Sequence, residues 1–434
     1  MLTTGLGVFC DGYDISAIGL VLPQVLASFG THQLTSVQSA VLTASALVGA
    51  AIGALIFGVL GQKGRKRFYG YDMLILGVAA AAQSFAPSVA WLIALRFILG
   101  IGIGADYVLS PVIMAEHANR ADRGRALGLG FGAMWPIGAL AAAALKLLLQ
   151  ALHVPEDLQW RLVLGAGAIP ALAVLYFRRR MPETARFLAR IEANQAEAKR
   201  VMEHVAGQPV EAPGADPRPF GEVFAAHARW IFSAALLWMI YDLVVYSAIL
   251  FGPNLIAKGL GMDGAVFNTL IELVFVIPAS IGMSWFLIDR MGRKPLQVWG
   301  FATSALMLMI FAALRSKLAG APAIAFIAYG LFNVTQTGPG LVSGAGVLGV
   351  ELAPTRIRAV AQSITVAGGR IGAAISGFAF PLLFGAIGEV ATVLILVALS
   401  VLGAVCTQVL VPETSARSLE DINGEAPAAA PAPG

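Results

Sequence analysis

Apolar residues along the chain form twelve long runs, which are separated by short polar segments. Each run is roughly 20 residues long, which is the length of a helix that crosses the hydrocarbon core of a bilayer. Apolar and polar positions do not alternate within the runs, so the pattern does not fit the strands of a membrane barrel. The predicted transmembrane helices cover residues 5–29, 37–60, 69–85, 89–113, 126–149, 160–177, 230–255, 266–288, 296–314, 321–347, 359–384 and 390–411.

The composition supports this prediction. Of the 434 residues, 58% are hydrophobic and only 12% are charged, whereas a soluble domain has roughly 25% charged residues. Because so few charges cannot cover a water-facing surface, lipid must solvate much of the exterior. Cys10 and Cys406 both lie in apolar runs, and they indicate neither a disulfide framework nor a metal site. The net charge of +4 reflects loop residues, so we expect no nucleic-acid partner and no cofactor.

Basic residues are distributed unevenly between the two sets of loops. Loops after even-numbered helices carry most of them, whereas loops after odd-numbered helices hold only Lys258, Arg315 and Lys317. Lysine and arginine are enriched in cytoplasmic loops of membrane proteins. The asymmetry therefore predicts that both termini and the long central segment are cytoplasmic, in a plasma or inner membrane.

An internal repeat divides the chain. Three short motifs each occur twice, at a common separation of about 230 residues. The pairs are Gly64-Arg65-Lys66 with Gly292-Arg293-Lys294, Arg123-Gly124-Arg125 with Arg356-Ile357-Arg358, and Pro182-Glu183-Thr184 with Pro412-Glu413-Thr414. The repeat predicts an all-α integral membrane protein with twelve transmembrane helices in two pseudo-symmetric six-helix halves. We expect an N-terminal half at 1–178, a cytoplasmic linker at 179–228, a C-terminal half at 229–412 and a disordered cytoplasmic tail at 413–434.

These motifs resemble the major facilitator superfamily over nearly the whole chain. Members of this superfamily have a loop between the second and third helix of each half, and the two stretches of this chain that begin at Gly58 and Asp289 resemble it. The first copy is one residue short, and Gln62 stands where an aspartate is usual. The resemblance implies a set of conformational-loop residues, namely Gly58, Gly64, Arg65, Asp289, Arg290, Gly292 and Arg293.

Within that superfamily, the chain is most similar to the phosphate:proton symporter family. The similar segments are 9–14, 69–72, 100–107 and the set Trp238, Asp242 and Tyr246. The chain differs at Arg370, where the family carries a substrate lysine, and at Trp135 or Pro136, where it offers a glutamine. Helix ten, at 333–351, shows no clean match for the family's substrate asparagine.

The resemblance implies a proton-coupled symporter for a small anion, with inorganic phosphate first, and adds Tyr107 to the substrate-binding residues. An organic acid or another small metabolite is the alternative within transport. A membrane receptor that binds the solute without moving it is a remote alternative, and no enzyme activity is expected. We expect the protein to work as a monomer in the lipid bilayer, with the anion and protons as its partners.

Four acids lie in predicted helices of the N-terminal half, where an ionisable group is costly and asks for a functional reason. They are Asp11, Asp14, Asp72 and Asp106. Burial and mutual repulsion favour the protonated form of such groups, so they are candidate proton carriers. The alternative is that some of them cap helices or pair with a basic residue such as Arg96.

A second group of candidates lies in the C-terminal half. Trp238, Asp242 and Tyr246 are spaced four residues apart, so they share one face of helix seven. The aromatic rings can shape a cavity, while the acid accepts hydrogen bonds from a solute. Arg370 lies near the predicted midplane of helix eleven, where a guanidinium can hold an anion through two parallel hydrogen bonds. The alternatives are aromatic packing around a structural acid, and a structural ion pair between Arg370 and Asp242.

Overall fold

The computed structural model of the protein describes residues 2–30, 36–206, 214–251, 257, 260–314 and 320–425. Helices one to six are Leu2–Ser28, Ser36–Gly61, Tyr71–Gln83, Val89–His117, Arg123–Ala151 and Glu156–Arg179. Helices seven to twelve are Phe220–Phe251, Gly264–Met291, Arg293–Ala313, Pro322–Pro339, Arg358–Ile387 and Glu389–Leu410. Helix ten continues through a π-helical turn, Gly340–Gly344, into Val347–Glu351.

The described part of the chain contains helices and no strands, as the apolar pattern predicts. Ten of the helices in the described residues are long and apolar enough to cross a membrane, judged by length and composition. The prediction of a helical membrane protein is therefore confirmed. Helix seven begins at Phe220, well before the predicted start at 230, because a helix can continue past the apolar run that identifies it. Part of the predicted linker is thus the first turns of helix seven.

Close helix packing depends on the glycines of helices two and four. A methyl group on Gly53 would overlap with the backbone of Ile101, and one on Gly104 would overlap with the backbone of Ala50. Small residues let membrane helices approach closely enough for backbone contact. Helix two also packs against helix eleven, where a methyl group on Gly58 would overlap with Ser363. This contact joins the two halves.

Two segments outside the membrane helices are ordered. The central segment forms helices Ala185–Arg190 and Gln195–Ala206, which are separated by a kink at Ala193 with a φ of 54°. Residues 413–425 are also ordered and contain a short helix, Leu419–Asn423, so the prediction of a disordered tail is wrong for them. Residues 207–213 and 426–434, which the sequence assigns to a loop and to the tail, lie outside the described residues.

Glu420 attaches the ordered tail to the central segment. Its carboxylate pairs with Arg186 at 3.0 Å and lies 3.9 Å from Arg190. Burial alone would raise the pKa of Glu420, but the guanidinium of Arg186 outweighs burial and lowers the pKa to about 2. The carboxylate is therefore ionised at any physiological pH, and this contact does not respond to pH.

Candidate functional site

A cavity of about 140 Å³ lies between the two halves. The N-terminal half contributes Val8, Tyr107, Phe131, Gly132, Trp135 and Pro136 to its wall. The C-terminal half contributes a larger set, which includes Trp238, Tyr241, Asp242, Tyr246, Glu272, Asn333, Gln336 and Arg370. Sites for drug-sized ligands measure roughly 300–1,000 Å³, so this cavity suits a small solute. Its wall is mainly aromatic and aliphatic, with a few charged and amide groups.

Three irregular helical turns border the cavity. The π-helical segments Gly128–Ala133, Glu272–Val276 and Gly340–Gly344 each contribute residues to its wall. Proline provides a local cause in helix eight, because Pro278 has no N–H to donate to the preceding turn. A π-bulge absorbs such a break, and π-bulges are frequent at functional sites. The local sequence thus explains the irregular turn of helix eight, which borders the cavity.

The predicted substrate residues come together around Arg370. Its Nη1 donates to the hydroxyl of Tyr246 at 3.0 Å and lies 3.6 Å from Oδ2 of Asp242. The guanidinium carbon stands 4.3 Å from the ring centre of Tyr107 and 5.8 Å from that of Trp238. All of these side chains except Tyr246 are at most 4% exposed. The five residues therefore form a single arrangement in the cavity wall.

The pair of Arg370 and Asp242 is incomplete as a structural ion pair. Oδ2 of Asp242 and Nε of Arg370 are buried without a hydrogen-bond partner among the described residues. A buried polar group without a partner costs roughly 1–3 kcal/mol. An anion with a protonated oxygen satisfies both groups, because it accepts from the arginine and donates to the aspartate. This geometry favours the ligand-binding interpretation over a purely structural pair.

A second buried cluster lies inside the N-terminal half. Arg178, at the end of helix six, donates through Nη1 to Asp72 and through Nη2 to Asp106, the latter at 2.8 Å. Ser110 donates to Asp106 and also accepts from Arg178 at 3.1 Å. The guanidinium stands 4.2 Å over the ring of Tyr69. The predicted helix six ends at residue 177, which leaves Arg178 at the edge of the cytoplasmic linker, whereas its side chain is fully buried. The predicted end is wrong, because helix six continues to Arg179 and acids from two other helices hold the arginine.

Asp11 connects this cluster to the cavity. Its carboxylate interacts electrostatically with Asp106 and Arg178 of the cluster and with Arg370 of the cavity wall. Neither of its oxygens has a hydrogen-bond donor among the described residues, and the side chain is fully buried. The cluster contains three carboxyl groups, from Asp11, Asp72 and Asp106, but one guanidinium. Because uncompensated charge is costly in low dielectric, these acids are candidate proton-binding groups.

Gly7 leaves the space that Arg178 needs. A methyl group on Gly7 would overlap with the guanidinium of Arg178 and with Oδ2 of Asp106. The glycine in helix one is therefore required by the side chains of helices four and six. No local signal in helix one reveals this requirement.

Asp14 lies apart from the cluster. It is 2% exposed, and the basic residue that acts on it electrostatically is Arg96, which is 1% exposed. Within the described residues no salt bridge or hydrogen bond joins the two side chains, so Arg96 acts on Asp14 at longer range than a direct pair. Arg96 is consequently a buried counter-charge and does not extend to the membrane surface.

We call the end of the bundle that carries the loops at Gly64 and Gly292 the basic end. Two buried carboxylates form ion pairs there that connect the two halves. Glu116 binds Arg65 of its own half at 3.3 Å and Arg358 of the other half at 3.0 Å. Glu351 binds Arg293 of its own half at 3.0 Å and Arg123 of the other half at 2.6 Å. The two carboxylates thus occupy equivalent positions in the repeat. Arg123 corresponds to Arg358 here, and not to Arg356 as the motif alignment implies.

The predicted conformational-loop residues lie at or beside this basic end. Gly64 and Gly292 have φ values of 130° and 97°, which glycine adopts without strain. Asp289 accepts from the backbone N–H groups of Gly124 and Arg125, at 3.0 and 2.7 Å, which fixes it to the start of helix five. Gln62, which stands in for an acid, donates to the carbonyl of Arg356 at 2.7 Å. Arg290 is exposed and takes no part in these contacts.

The basic end supports a prediction about conformation. Arg123→Ala removes the cation through which the N-terminal half binds Glu351, and breaking a buried pair costs roughly 3–5 kcal/mol. We expect the two halves to separate at this end, so that spin labels at exposed positions such as Arg67 and Ala416 show an additional, longer distance. Arg290→Ala is the matched control, and we expect it to leave the distances unchanged. Identical distance distributions in the two variants would contradict the prediction.

Several residues of the site were missed from the sequence. Glu116 and Glu351 differ by the offset of the repeat, which is a signal that could have identified them. Glu272 is an acid in an apolar run, so the cost of burying it was a second available signal. No sequence signal identifies Gln336, and only its position in the cavity wall indicates a role in the site.

Comparison with known proteins gives a consistent result. A family model described as "Sugar (and other) transporter" matches residues 1–426. The "Probable inorganic phosphate transporter 1-6" of Arabidopsis thaliana is 31% identical, over 98% of this chain and 93% of its own length. The "Putative metabolite transport protein YaaU" of Escherichia coli K12 is 30% identical, over 95% and 91%. Among solved structures, the proton:xylose symporter XylE bound to 6-bromo-6-deoxy-D-glucose has a TM-score of 0.81 at 20% identity, covering 98% of this chain and 97% of its own.

Proposed function

The chain belongs to the sugar (and other) transporter family of the major facilitator superfamily, and we propose that it is a proton-coupled symporter of a small anion, with inorganic phosphate as the first candidate. The protein is a multi-pass membrane transporter rather than an enzyme. We further propose that it works as a monomer in a plasma or inner membrane. The two halves, taken as 1–178 and 229–412, rock against each other around the cavity, as parallel repeats do in such transporters.

The position of Asp11 carries the proposal of proton coupling. Asp11 interacts electrostatically with the acid cluster and also with Arg370. An anion that arrives at Arg370 changes the field at Asp11, and a proton in the cluster changes the field at the anion. Binding of the two partners is therefore linked, and linkage of this kind is reciprocal. We assign proton binding to Asp11, Asp72 and Asp106, while Asp14 lies apart from them, near Arg96.

Inorganic phosphate fits the charged part of the cavity. Dihydrogen phosphate offers oxygens that accept from Arg370 and a hydroxyl that donates to Asp242. Several relatives of about 30% identity carry the name inorganic phosphate transporter. The mainly apolar wall, which includes Trp135 and Phe131, favours an organic acid as the second candidate. Such an acid places its carboxylate at Arg370 and its carbon skeleton against the rings.

Reconstitution tests the proposal. We expect purified protein in proteoliposomes to accumulate labelled phosphate when the outside is made acidic, and to exchange labelled for unlabelled phosphate at equal pH. A receptor that binds without transport shows neither flux. Exchange of an organic acid in the absence of phosphate exchange would select the second candidate. Absence of any pH-driven flux, for phosphate and for the organic acids alike, would contradict the proposal of a proton-coupled symporter.

The orientation of the protein is a separate prediction from the loop charges. The basic end should face the cytoplasm, together with both termini and the linker. In a background with Cys10 and Cys406 replaced by alanine, a cysteine at Gln208 should resist a membrane-impermeant thiol reagent in intact cells and react after permeabilisation. Gln208 lies outside the described residues. Rapid labelling in intact cells would reverse the orientation.

A further inference from the structure

Glu272 is an acid in the cavity wall that neither the acid cluster nor the Arg370 group uses. It lies in the first turn of the π-helical segment of helix eight and lines the cavity. Its Oε2 is buried, and the described residues supply no hydrogen-bond partner for that atom. No salt bridge joins Glu272 to a basic residue in the described part of the chain. A carboxyl group in this position needs a partner from within the cavity.

Gln336 is a second polar group in the same wall without a partner. It comes from helix ten, is 2% exposed and lines the cavity. Neither its amide nitrogen nor its amide oxygen has a hydrogen-bond partner among the described residues. Buried polar groups in native structures nearly always have a partner. Glu272 and Gln336 therefore present acceptors and a donor to whatever occupies the cavity.

Tyr241 interacts with both Glu272 and the Arg370 group. The Tyr241 side chain interacts electrostatically with Arg370 and Asp242, and also with Glu272. The interactions of Arg370 itself involve Tyr246, Tyr107, Asp242 and Asp11. The cavity thus has one pole around Arg370 and another around Glu272, with Tyr241 as a neighbour of both. An anion fits beside the carboxyl of Glu272 only if a hydrogen lies in that contact.

We propose that Glu272 and Gln336 form a second recognition pole, which binds a hydrogen-bond-donating group of the transported anion. This inference rests on the proposed function, because it assumes that an anion is held at Arg370. The required chemistry is an anion that carries its own hydroxyl donor. Dihydrogen phosphate has such a donor on phosphorus, and a hydroxy acid has one on carbon. Glu272 then acts as a specificity-determining residue that rejects anions without a donor.

Two pairs of anions test this pole. Lactate and propionate have the same charge and differ by one hydroxyl group, while phosphate and sulfate differ in whether an oxygen is protonated near neutral pH. In wild-type proteoliposomes, we expect the donor-bearing member of each pair to compete for exchange at least tenfold better, since a hydrogen bond to a charged group is of this size. Glu272→Ala should reduce that ratio towards one, and Glu272→Gln, which keeps an acceptor oxygen, should give an intermediate ratio.

The variants also separate the alternatives. Gln336→Ala should lower the ratio less than Glu272→Ala, and Glu222→Gln, at an exposed acid near the start of helix seven, should leave it unchanged. An unchanged ratio in Glu272→Ala, or equal weakening of all four anions, would overturn the inference. Loss of pH-driven accumulation with an intact ratio would make Glu272 a proton carrier, which also overturns it.

Failure of the proposed function gives a different result. If the wild-type protein exchanges none of the four anions, the proposed function is wrong, and ligand-induced thermal shifts then test the pole directly. A shift with lactate that exceeds the shift with propionate, and that Glu272→Ala abolishes, supports the inference. Equal shifts for both anions, or no shift with either, contradict it.

Discussion

Replacing Arg370 by alanine should weaken binding of the transported anion by roughly 2–5 kcal/mol, which is the cost of truncating one partner of a buried charge pair. Arg370 is the only basic side chain in the described wall of the cavity. Its loss removes the attraction for an anion and leaves Asp242 as an uncompensated negative charge beside the site. Both effects act in the same direction. Binding can be measured by calorimetry or by competition for exchange in proteoliposomes.

Two further variants separate charge from geometry. Arg370→Lys should weaken binding less than Arg370→Ala, because lysine keeps the positive charge but loses the two-pronged donor. It also loses the planar contact with the ring of Tyr107. Asp242→Asn should weaken binding of dihydrogen phosphate, which needs the acceptor, and leave or improve binding of a carboxylate. Arg290→Ala is an exposed control in the same half. Wild-type affinity in Arg370→Ala would mean that the arginine is structural.

Replacing Asp106 by asparagine should abolish uphill accumulation driven by a pH gradient. A symporter that moves one proton with each solute gains about tenfold in accumulation for each pH unit, since one unit is 1.36 kcal/mol. Asparagine cannot take up a proton, so this gain should disappear. The Arg178–Asp72 pair remains, so the guanidinium keeps a partner and the fold should persist. Exchange at equal pH should therefore survive, and uptake with and without a gradient measures both properties.

The control for Asp106 is a carboxylate outside the cluster. Asp157 pairs with Arg161 at the start of helix six, and its side chain is 59% exposed. Asp157→Asn should leave pH-driven accumulation intact. If Asp106→Asn accumulates solute as the wild type does, the coupling proton resides elsewhere, and Asp11 becomes the first candidate because it faces both the cluster and Arg370.

The apolar pattern and the repeat determined most of the architecture. Lipid leaves the backbone no partner other than its own chain, so a run of about 20 apolar residues specifies a helix whatever its neighbours are. Because Trp238, Asp242 and Tyr246 are spaced four residues apart, helix geometry alone places them on one face. These properties depend on residues close together in the sequence, and that is why the sequence was sufficient for them.

The partners of the buried charges were decided by tertiary structure. Arg178 reads as a loop cation because it ends an apolar run, yet it binds Asp72 and Asp106 from other helices. Glu116 gains a partner in Arg358, which lies in the other half of the chain. A charge in a low dielectric is stable only beside its counter-charge, and nothing in the local sequence specifies which helix supplies it.

Some residues of the cavity wall were predicted from the sequence, and others were identified only by the fold. Residue type and predicted depth identified Arg370 and Asp242, because burying a charge in the membrane is costly and therefore indicates a functional residue. Glu272 and Gln336 join them only because packing within the C-terminal half brings helices eight and ten to the same cavity as helix eleven. Hydrogen bonds act over about 3 Å, so helix packing decides which polar groups can bind the same solute. The periodicity of a single helix does not specify how that helix packs against distant segments.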